Sequence, residues 1–438
     1  MKQLNLNTIG QWASGIVDGN GAVDGIKVDT RFVKEGDLFV CLRGERVDGH
    51  TFAQTAIDNG ATALLVDHKL DTLDVPQIIV EDTLVALQKI AKGYRNTLSA
   101  YFIGITGSNG KTSTKDILFS ILAPLGKTIA TYKNQNTEIG TYLNLFRMDE
   151  DTQYGIFEMG LDFPNDVAVM TEIVRPHAAM VTSLAPTHIV NFKDIHHIAR
   201  EKFAIFNQVQ DKDMAFYQGD FLEYCQLDQG FHTFGYNADN EFIVDNVIAD
   251  STGISFTVNQ EAYTCNLLGG HQASNCAGVI AMLSKIGISK EAIQHGLNNV
   301  ALTSLRTELV NHAASLVLLD AYKSNPISAI YALELLNNYA YSGDRIAVLS
   351  DMVELGDDSI KYHEEVLEYI NTLNLQYVFL LGPDFKAALN NVTLNTPYTT
   401  FETFGTLYNA VAPQFDKEQM ILIKGSRFYA LERLMKEA

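Results

Sequence analysis

The chain has 438 residues, 47% of them hydrophobic, which predicts roughly two to four domains with separate apolar cores. Its formal net charge of −20 argues against a general nucleic-acid binder, because phosphate-rich partners would be repelled over most of the surface. The four cysteines show no C-x-x-C spacing, which favours reduced core thiols over a zinc site. The N-terminus has no signal-peptide pattern and no apolar run could span a bilayer, so we expect a cytoplasmic protein without membrane insertion.

Residues 1–100 predict a small α/β domain. Apolar runs at Asp37–Leu42, Ala63–Val66 and Gln77–Val80 predict strands, and a helical pattern follows the last run through Tyr94. Polar turns lie at residues 29–31 and 44–50, and taken alone such turns are more often solvated loops than sites.

The segment from Phe102 to Thr114 combines an apolar run, a glycine-rich turn and the start of a helical pattern. It predicts a phosphate-binding loop, although Ile105 stands where the general pattern has its first glycine. Glycines let successive N–H groups turn inward around a polyphosphate, and the following helix adds unpaired donors. We expect Lys111 to contact the β- and γ-phosphates of a nucleoside triphosphate and the Thr112 hydroxyl to bind magnesium. The loop residues are Thr106, Gly107, Ser108, Asn109, Gly110, Lys111, Thr112 and Ser113.

Residues 101–312 predict a central nucleotide domain with a doubly wound, mostly parallel sheet. Its strands are expected at Phe102–Ile105, Gly155–Phe157 and Ala179–Thr182, and ligands of such sheets bind beyond the carboxyl ends of the strands. Glu158 follows the second strand and is a hard oxygen ligand suited to magnesium. His188 follows the third strand and could bind a second ion or orient a phosphate.

The later part of this domain has a different pattern of apolar residues. Alternating residues over Glu241–Val258 and Tyr263–Leu268 predict antiparallel strands, hence a β-rich edge on the parallel sheet. A helix is then expected at Cys276–Ile286. The ordinary interpretation of Asn275 is the cap of that helix.

Residues 313–438 predict a third domain with an open, Rossmann-like α/β sheet. Its strands are expected at Leu316–Leu319, Ile346–Leu349, Val378–Leu381 and Met420–Ile423. Polar segments follow the first and last of these strands, and Arg427 in the last suits bidentate capture of a carboxylate or phosphate.

Together these segments resemble the Mur ligases, the ATP-dependent amide-forming enzymes of bacterial cell-wall synthesis. The resemblance covers the whole chain and rests on motifs in all three predicted domains. They are Asp29–Arg31, Gly36–Phe39, Gly44–His50, Thr106–Thr112, Asn136–Gly140, Glu158–Gly160, His188, Lys202, Asp320–Pro326, Asp351–Gly356 and Lys424–Arg427.

The resemblance implies a three-domain Mur ligase architecture and a reaction that passes through an acyl phosphate. The implied substrates are ATP with Mg²⁺, a UDP-linked muramoyl peptide and D-alanyl-D-alanine, and we expect a monomer. The implied catalytic residues are Lys111, His188 and Lys202. The implied metal ligands are Thr112, Glu158, His188 and Lys202 as a carbamate. Further ATP contacts are implied for Asn275, Arg306 and Asp320.

The resemblance also assigns residues to the two other substrates. The implied contacts to the uridine nucleotide are Thr30, Arg31, Gly44, Asp48 and His50. Those implied for the dipeptide and for domain closure are Lys323, Asn325 and Arg427.

Several positions depart from the family pattern, among them Ser183, Gln272 and Lys323. The alternatives are therefore an amide ligase of the same superfamily with another amine acceptor, or a nucleotide-dependent regulatory protein. No N-K-x-D motif is present, which weakens the second alternative.

Overall fold

The computed structural model describes residues 1–44, 47–303 and 307–436, and these fold around three large sheets. No helix within these ranges has the length and apolar character needed to cross a membrane. The predicted α/β architecture with a mostly parallel central sheet is confirmed.

The N-terminal sheet has five strands in the order β2-β7-β6-β5-β4, parallel except for β2. All three predicted strands are present, and the predicted helix packs behind them as α3. The strands are β1 Leu4–Asn5, β2 Ile16–Asp18, β3 Ala22–Val23, β4 Gly25–Lys27, β5 Asp37–Val40, β6 Ala61–Val66 and β7 Gln77–Ile79. The helices are α1 Leu6–Ala13, α2 Ala53–Asp58 and α3 Thr83–Arg95.

The central sheet has nine strands in the order β16-β15-β14-β13-β12-β11-β8-β10-β9. Seven are parallel, and β15 and β16 form the antiparallel edge that the alternating sequence predicts. The strands are β8 Tyr101–Thr106, β9 Thr128–Ala130, β10 Tyr154–Glu158, β11 Ala178–Val181, β12 Ala215–Gln218, β13 His232–Gly235, β14 Phe242–Asp250, β15 Gly253–Val258 and β16 Glu261–Cys265. The helices are α4 Lys111–Leu122, α5 Glu138–Leu145, α6 Asp166–Val174, α7 Ile195–Phe203, α8 Leu222–Cys225, α9 Gln272–Ile286 and α10 Lys290–Leu297.

The C-terminal sheet has six strands in the order β17-β18-β22-β19-β20-β21, and only β17 is antiparallel to its neighbour. All four predicted strands are present. The strands are β17 Glu308–His312, β18 Ser315–Asp320, β19 Asp344–Ser350, β20 Tyr377–Leu381, β21 Tyr398–Phe401 and β22 Gln419–Lys424. The helices are α11 Pro326–Asn338, α12 Ser359–Ile370, α13 Pro383–Ala388 and α14 Phe404–Val411.

The predicted domain boundaries follow residues 100 and 312. Because β17 pairs with β18 in the third sheet, we propose that the second boundary lies before Glu308.

Two local expectations are wrong. Helix α9 begins at Gln272, so Asn275 lies inside its first turn rather than capping it. All four cysteines are free thiols, but Cys225 is exposed and therefore does not belong to a core.

The arrangement of strands brings three chain segments to one edge of the central sheet. Strands β10 and β11 flank β8 in parallel register, with Glu158 opposite Ile105 and Val181 opposite Thr106. Parallel strands that are covered on both faces read as continuous apolar runs, as in β8, and leave their polar side chains at the strand ends. The loop before α4, Glu158 and the segment after β11 therefore lie together.

Candidate active site

The loop between β8 and α4 is shaped by two glycines with positive φ, Gly107 at +150° and Gly110 at +81°. A Cβ at Gly107 would clash with Thr182, and one at Gly110 would clash with the side-chain amide of Asn275. Neither position tolerates a side chain, for reasons of both backbone conformation and space. The loop is held from the far side by Ser183, whose carbonyl accepts from Ser108 N at 2.7 Å and whose hydroxyl accepts from Asn109 N at 2.8 Å.

Helix α4 begins at Lys111, so the positive end of its dipole lies at the loop. The Lys111 ammonium folds back and donates to Gly107 O at 2.6 Å. A helix N-terminus next to a lysine and a glycine-rich turn attracts phosphate. The strand, the glycine-rich turn and the helix that the sequence predicts here are all present.

Glu158 ends β10 and is 2% exposed. One of its oxygens accepts from Thr112 Oγ1 at 2.9 Å and the other accepts from Asn136 Nδ2 at 2.8 Å. No ion pair of Glu158 occurs in the described ranges of the chain. A buried carboxylate held only by neutral donors is typical of a cation site, because burying an uncompensated charge is costly.

His188 adopts a left-handed backbone conformation, with φ +54°. Its Nε2 lies 3.1 Å from Asp162 Oδ1 and 3.2 Å from Lys323 Nζ, and its Nδ1 contacts the Glu354 carboxylate. Burial, reinforced by the charge of Lys323, lowers the pKa of His188. Since Lys323 and Glu354 belong to the third domain, His188 lies where two domains meet.

Lys202 is completely buried in α7. Burial lowers its pKa well below the usual value, and the charges of Lys111 and Lys323 add to the effect. In the described ranges, no hydrogen bond or ion pair of its ammonium is found. Burial therefore favours the uncharged amine of Lys202 over its ammonium form.

The third domain covers the loop, and residues of both domains line the cleft between them. Asn325 caps α11 and exchanges two hydrogen bonds with Asn109, at 2.7 and 3.2 Å. At the ends of β18 and β22, Asp320 and Lys424 form an ion pair at 3.2 Å. The cleft thus collects the predicted residues Ser108–Ser113, Glu158, Asn275, Asp320 and Lys323.

The residues predicted to bind the uridine nucleotide are outside this cleft. Arg31 pairs with Asp29 at 2.6 Å, and the guanidinium holds the pKa of Asp29 below its usual value. His50 Nδ1 lies 2.6 Å from Asp48, and the hydrogen bonds of His50 lower the pKa of that carboxyl. Thr30 and Gly44 lie in the same two turns, before and after β5.

Arg427 was predicted to bind a substrate anion, but it does not line the cleft. The Arg427 guanidinium pairs with Glu432, five residues later in its own domain. Arg306 lies outside the described residues, so its predicted ATP contact stays a prediction.

The residues near the site that were not predicted to belong to it include Asn136, Asp162 and Glu354. Asn136 and Glu354 belong to two of the motifs on which the family resemblance rests, and this membership could have marked them as candidate site residues. Asp162 lies four residues after Glu158, and nothing in the sequence separates it from a solvated loop carboxylate.

Three family models match the chain. They are described as Mur ligase family, catalytic domain, over residues 22–95; Mur ligase middle domain, over residues 105–283; and Mur ligase, glutamate ligase domain, over residues 305–427.

Curated relatives match nearly the full length. A UDP-N-acetylmuramoyl-tripeptide–D-alanyl-D-alanine ligase of Bacillus subtilis is 31% identical over 430 residues, covering 95% of this chain and 93% of the relative. The ligase of the same name from Escherichia coli is 31% identical, covering 94% of this chain and 93% of the relative. Among solved structures, a crystal structure of MurF from Acinetobacter baumannii is 25% identical and superposes with a TM-score of 0.91, covering 100% of this chain and 99% of that one.

Proposed function

The chain belongs to the Mur ligase family, and we propose that it joins D-alanyl-D-alanine to UDP-N-acetylmuramoyl-tripeptide in an ATP-dependent step of peptidoglycan precursor synthesis. The curated relatives carry this activity in their names and cover the chain almost completely. One observation supports the chemistry above all: the buried Thr112–Glu158 contact lies beside a phosphate loop that faces the third domain.

In the first step, an oxygen of the tripeptide's terminal carboxylate attacks the γ-phosphorus of ATP. An O–P bond forms, the bond to the β-phosphate oxygen breaks, and ADP leaves an acyl phosphate behind. Loop N–H groups and the start of α4 hold the phosphates, and Lys111 faces the transferring group. Stabilising the charge of that group is the main catalytic task, so no side-chain nucleophile is needed.

The residues fit a magnesium site. The Thr112 hydroxyl and the Glu158 carboxylate are hard oxygen donors, and the side chains that donate to Glu158 within the described part of the chain are neutral. Magnesium held there supplies positive charge to the phosphates. His188 is proposed to hold a second ion.

We propose that Lys202 carries a carbamate. Burial favours the uncharged amine, which is the form that adds to the carbon of CO₂ with loss of one proton and so gives an anionic side chain. The product would offer oxygen donors near Lys111 and Lys323 in place of an amine.

In the second step, the dipeptide amine attacks the acyl carbon. A C–N bond forms, phosphate leaves, and the nitrogen loses a proton. An acyl phosphate hydrolyses if water reaches it, so the third domain must cover the cleft during this step. The reciprocal Asn109–Asn325 contact supports closure directly over the loop. Lys323 of the third domain also contacts His188 of the central domain.

Further residues are proposed to bind ATP and the uridine nucleotide. Asn275 and Asp320 line the cleft and are proposed to contact ATP. The turns with Thr30, Arg31, Gly44, Asp48 and His50 are proposed to hold the uridine nucleotide.

Phosphate release across a panel of UDP-linked muramoyl peptides and D-amino dipeptides tests the proposal. We expect release only with ATP, a tripeptide substrate and D-alanyl-D-alanine together, and none with the Lys111→Ala variant. Release with single amino acids but not with dipeptides would overturn the acceptor assignment. ATP hydrolysis that ignores the muramoyl peptide would overturn the reaction.

A further inference from the structure

The loop after β19, residues 351–356, carries a family motif to which the proposed reaction assigns no role. At its tip, Glu354 crosses the cleft and contacts His188 Nδ1. Gly356 lies against the segment that follows His188, since a Cβ there would be 3.5 Å from Ile189. The loop of the third domain is thus seated on the part of the central domain that carries His188.

This loop is fixed on both sides of Glu354. Met352 and Leu355 are buried, at 1% and 2% exposure. Met352 N donates to His363 Nε2 at 3.0 Å, and His363 Nδ1 donates to Ser359 O at 2.7 Å. Both ring nitrogens of His363 are used in this way, so the imidazole anchors the loop.

Glu354 itself is poorly suited to a purely structural role. Its φ is +65°, which lies in the left-handed region. This backbone conformation is unfavourable for any residue other than glycine, so it persists only where the surrounding structure enforces it. Its side chain is 50% exposed, and that of Asp162 on the other side of His188 is 45% exposed. Two accessible carboxylates therefore flank one imidazole in an otherwise lysine-rich site.

The position of Glu354 beside His188 suits the binding of the dipeptide's amino group. An attacking nitrogen must come within about 3–3.5 Å of the acyl carbon, which is one oxygen away from the transferred phosphorus. The dipeptide enters as an ammonium ion, and the positive charges of Lys111 and Lys323 act on the surroundings of His188. Without nearby carboxylates, the entering ammonium would be repelled.

We propose that Glu354 binds the ammonium group of the incoming dipeptide and positions its nitrogen beside the acyl phosphate. This inference rests on the proposed function and adds a residue that determines the acceptor. A carboxylate on a rigidly anchored loop would select acceptors that present a cationic amine at this distance from His188.

Steady-state kinetics of Glu354→Gln test the inference. We expect the KM for D-alanyl-D-alanine to rise at least tenfold, while the KM values for ATP and the UDP-linked peptide change less than twofold. Asp357→Asn is the matched control, because it removes one exposed negative charge three residues away. An unchanged dipeptide KM in Glu354→Gln, or an equal rise in the control, would overturn the inference.

A neutral nucleophile separates ammonium binding from domain closure. Hydroxylamine is largely uncharged at neutral pH and traps an acyl phosphate as a hydroxamate with release of phosphate. We expect wild type and Glu354→Gln to form hydroxamate equally fast without dipeptide. Equal loss of hydroxamate and dipeptide ligation would show that Glu354 only holds the domains together. If wild type forms no hydroxamate from ATP and the UDP-linked peptide, the proposed function itself fails.

Discussion

The two sides of the cleft are built differently. On the central side, Glu158, Thr112 and Asn136 belong to one domain, and short hydrogen bonds hold a carboxylate that is 2% exposed. On the other side, Glu354 and Lys323 reach His188 from the third domain, and the Glu354 side chain is 50% exposed. The phosphate end is therefore pre-organised within one domain, whereas the acceptor end forms only when two domains meet.

Removing the pre-organised carboxylate should have the largest effect. We expect Glu158→Ala to lower kcat/KM for phosphate release by at least about 10³-fold, because charge stabilisation at the transferring group is lost. Glu172→Ala, an exposed glutamate of the same domain, is the control and should keep full activity. A Glu158→Ala enzyme that retains a tenth of the activity would contradict the pre-organised arrangement.

Loss of the Asn109–Asn325 contact between the domains should lower activity less than loss of Glu158, and the effects of the two single substitutions should not be additive. Asn109→Ala and Asn325→Ala each remove the same reciprocal pair of hydrogen bonds. We expect each single variant to lose about tenfold in kcat/KM, and the double variant to lose little more than either single variant. Fully additive losses in this cycle would mean that the two amides act separately.

The same contrast explains which features the sequence could predict. The strands, the phosphate loop and Glu158 depend on local patterns: apolar runs, two glycines and a polar residue at a strand end. Edge strand β21 was not predicted, because Tyr398–Phe401 has two threonines between its aromatic residues and is not strongly apolar.

Contacts between distant segments could not be predicted in this way. Glu354 meets His188, and Asn325 meets Asn109, only because the third domain packs over the central one. Arg427 was expected to capture a substrate anion, yet it pairs with Glu432, five residues later and beyond the turn at 427–430. Local patterns indicate residue chemistry, but they do not reveal which charges the fold has already paired.

The third prediction concerns stability rather than activity, at another contact between the two sides, the stack of His271 on Tyr331 with ring centroids 4.6 Å apart. Burial lowers the pKa of His271 from 6.5 to about 4. Between these pH values the unfolded chain binds a proton that the folded chain does not, so stability falls as pH drops from 6.5 and levels off below 4. The contribution of this titration to the free energy of unfolding is at most about 3 kcal/mol.

The variant His271→Phe keeps an aromatic ring on Tyr331 but cannot bind a proton. We therefore expect its Tm to exceed that of wild type by several degrees near pH 4.5, with a gap that closes above pH 7. A gap independent of pH would show that His271 does not titrate between the domains.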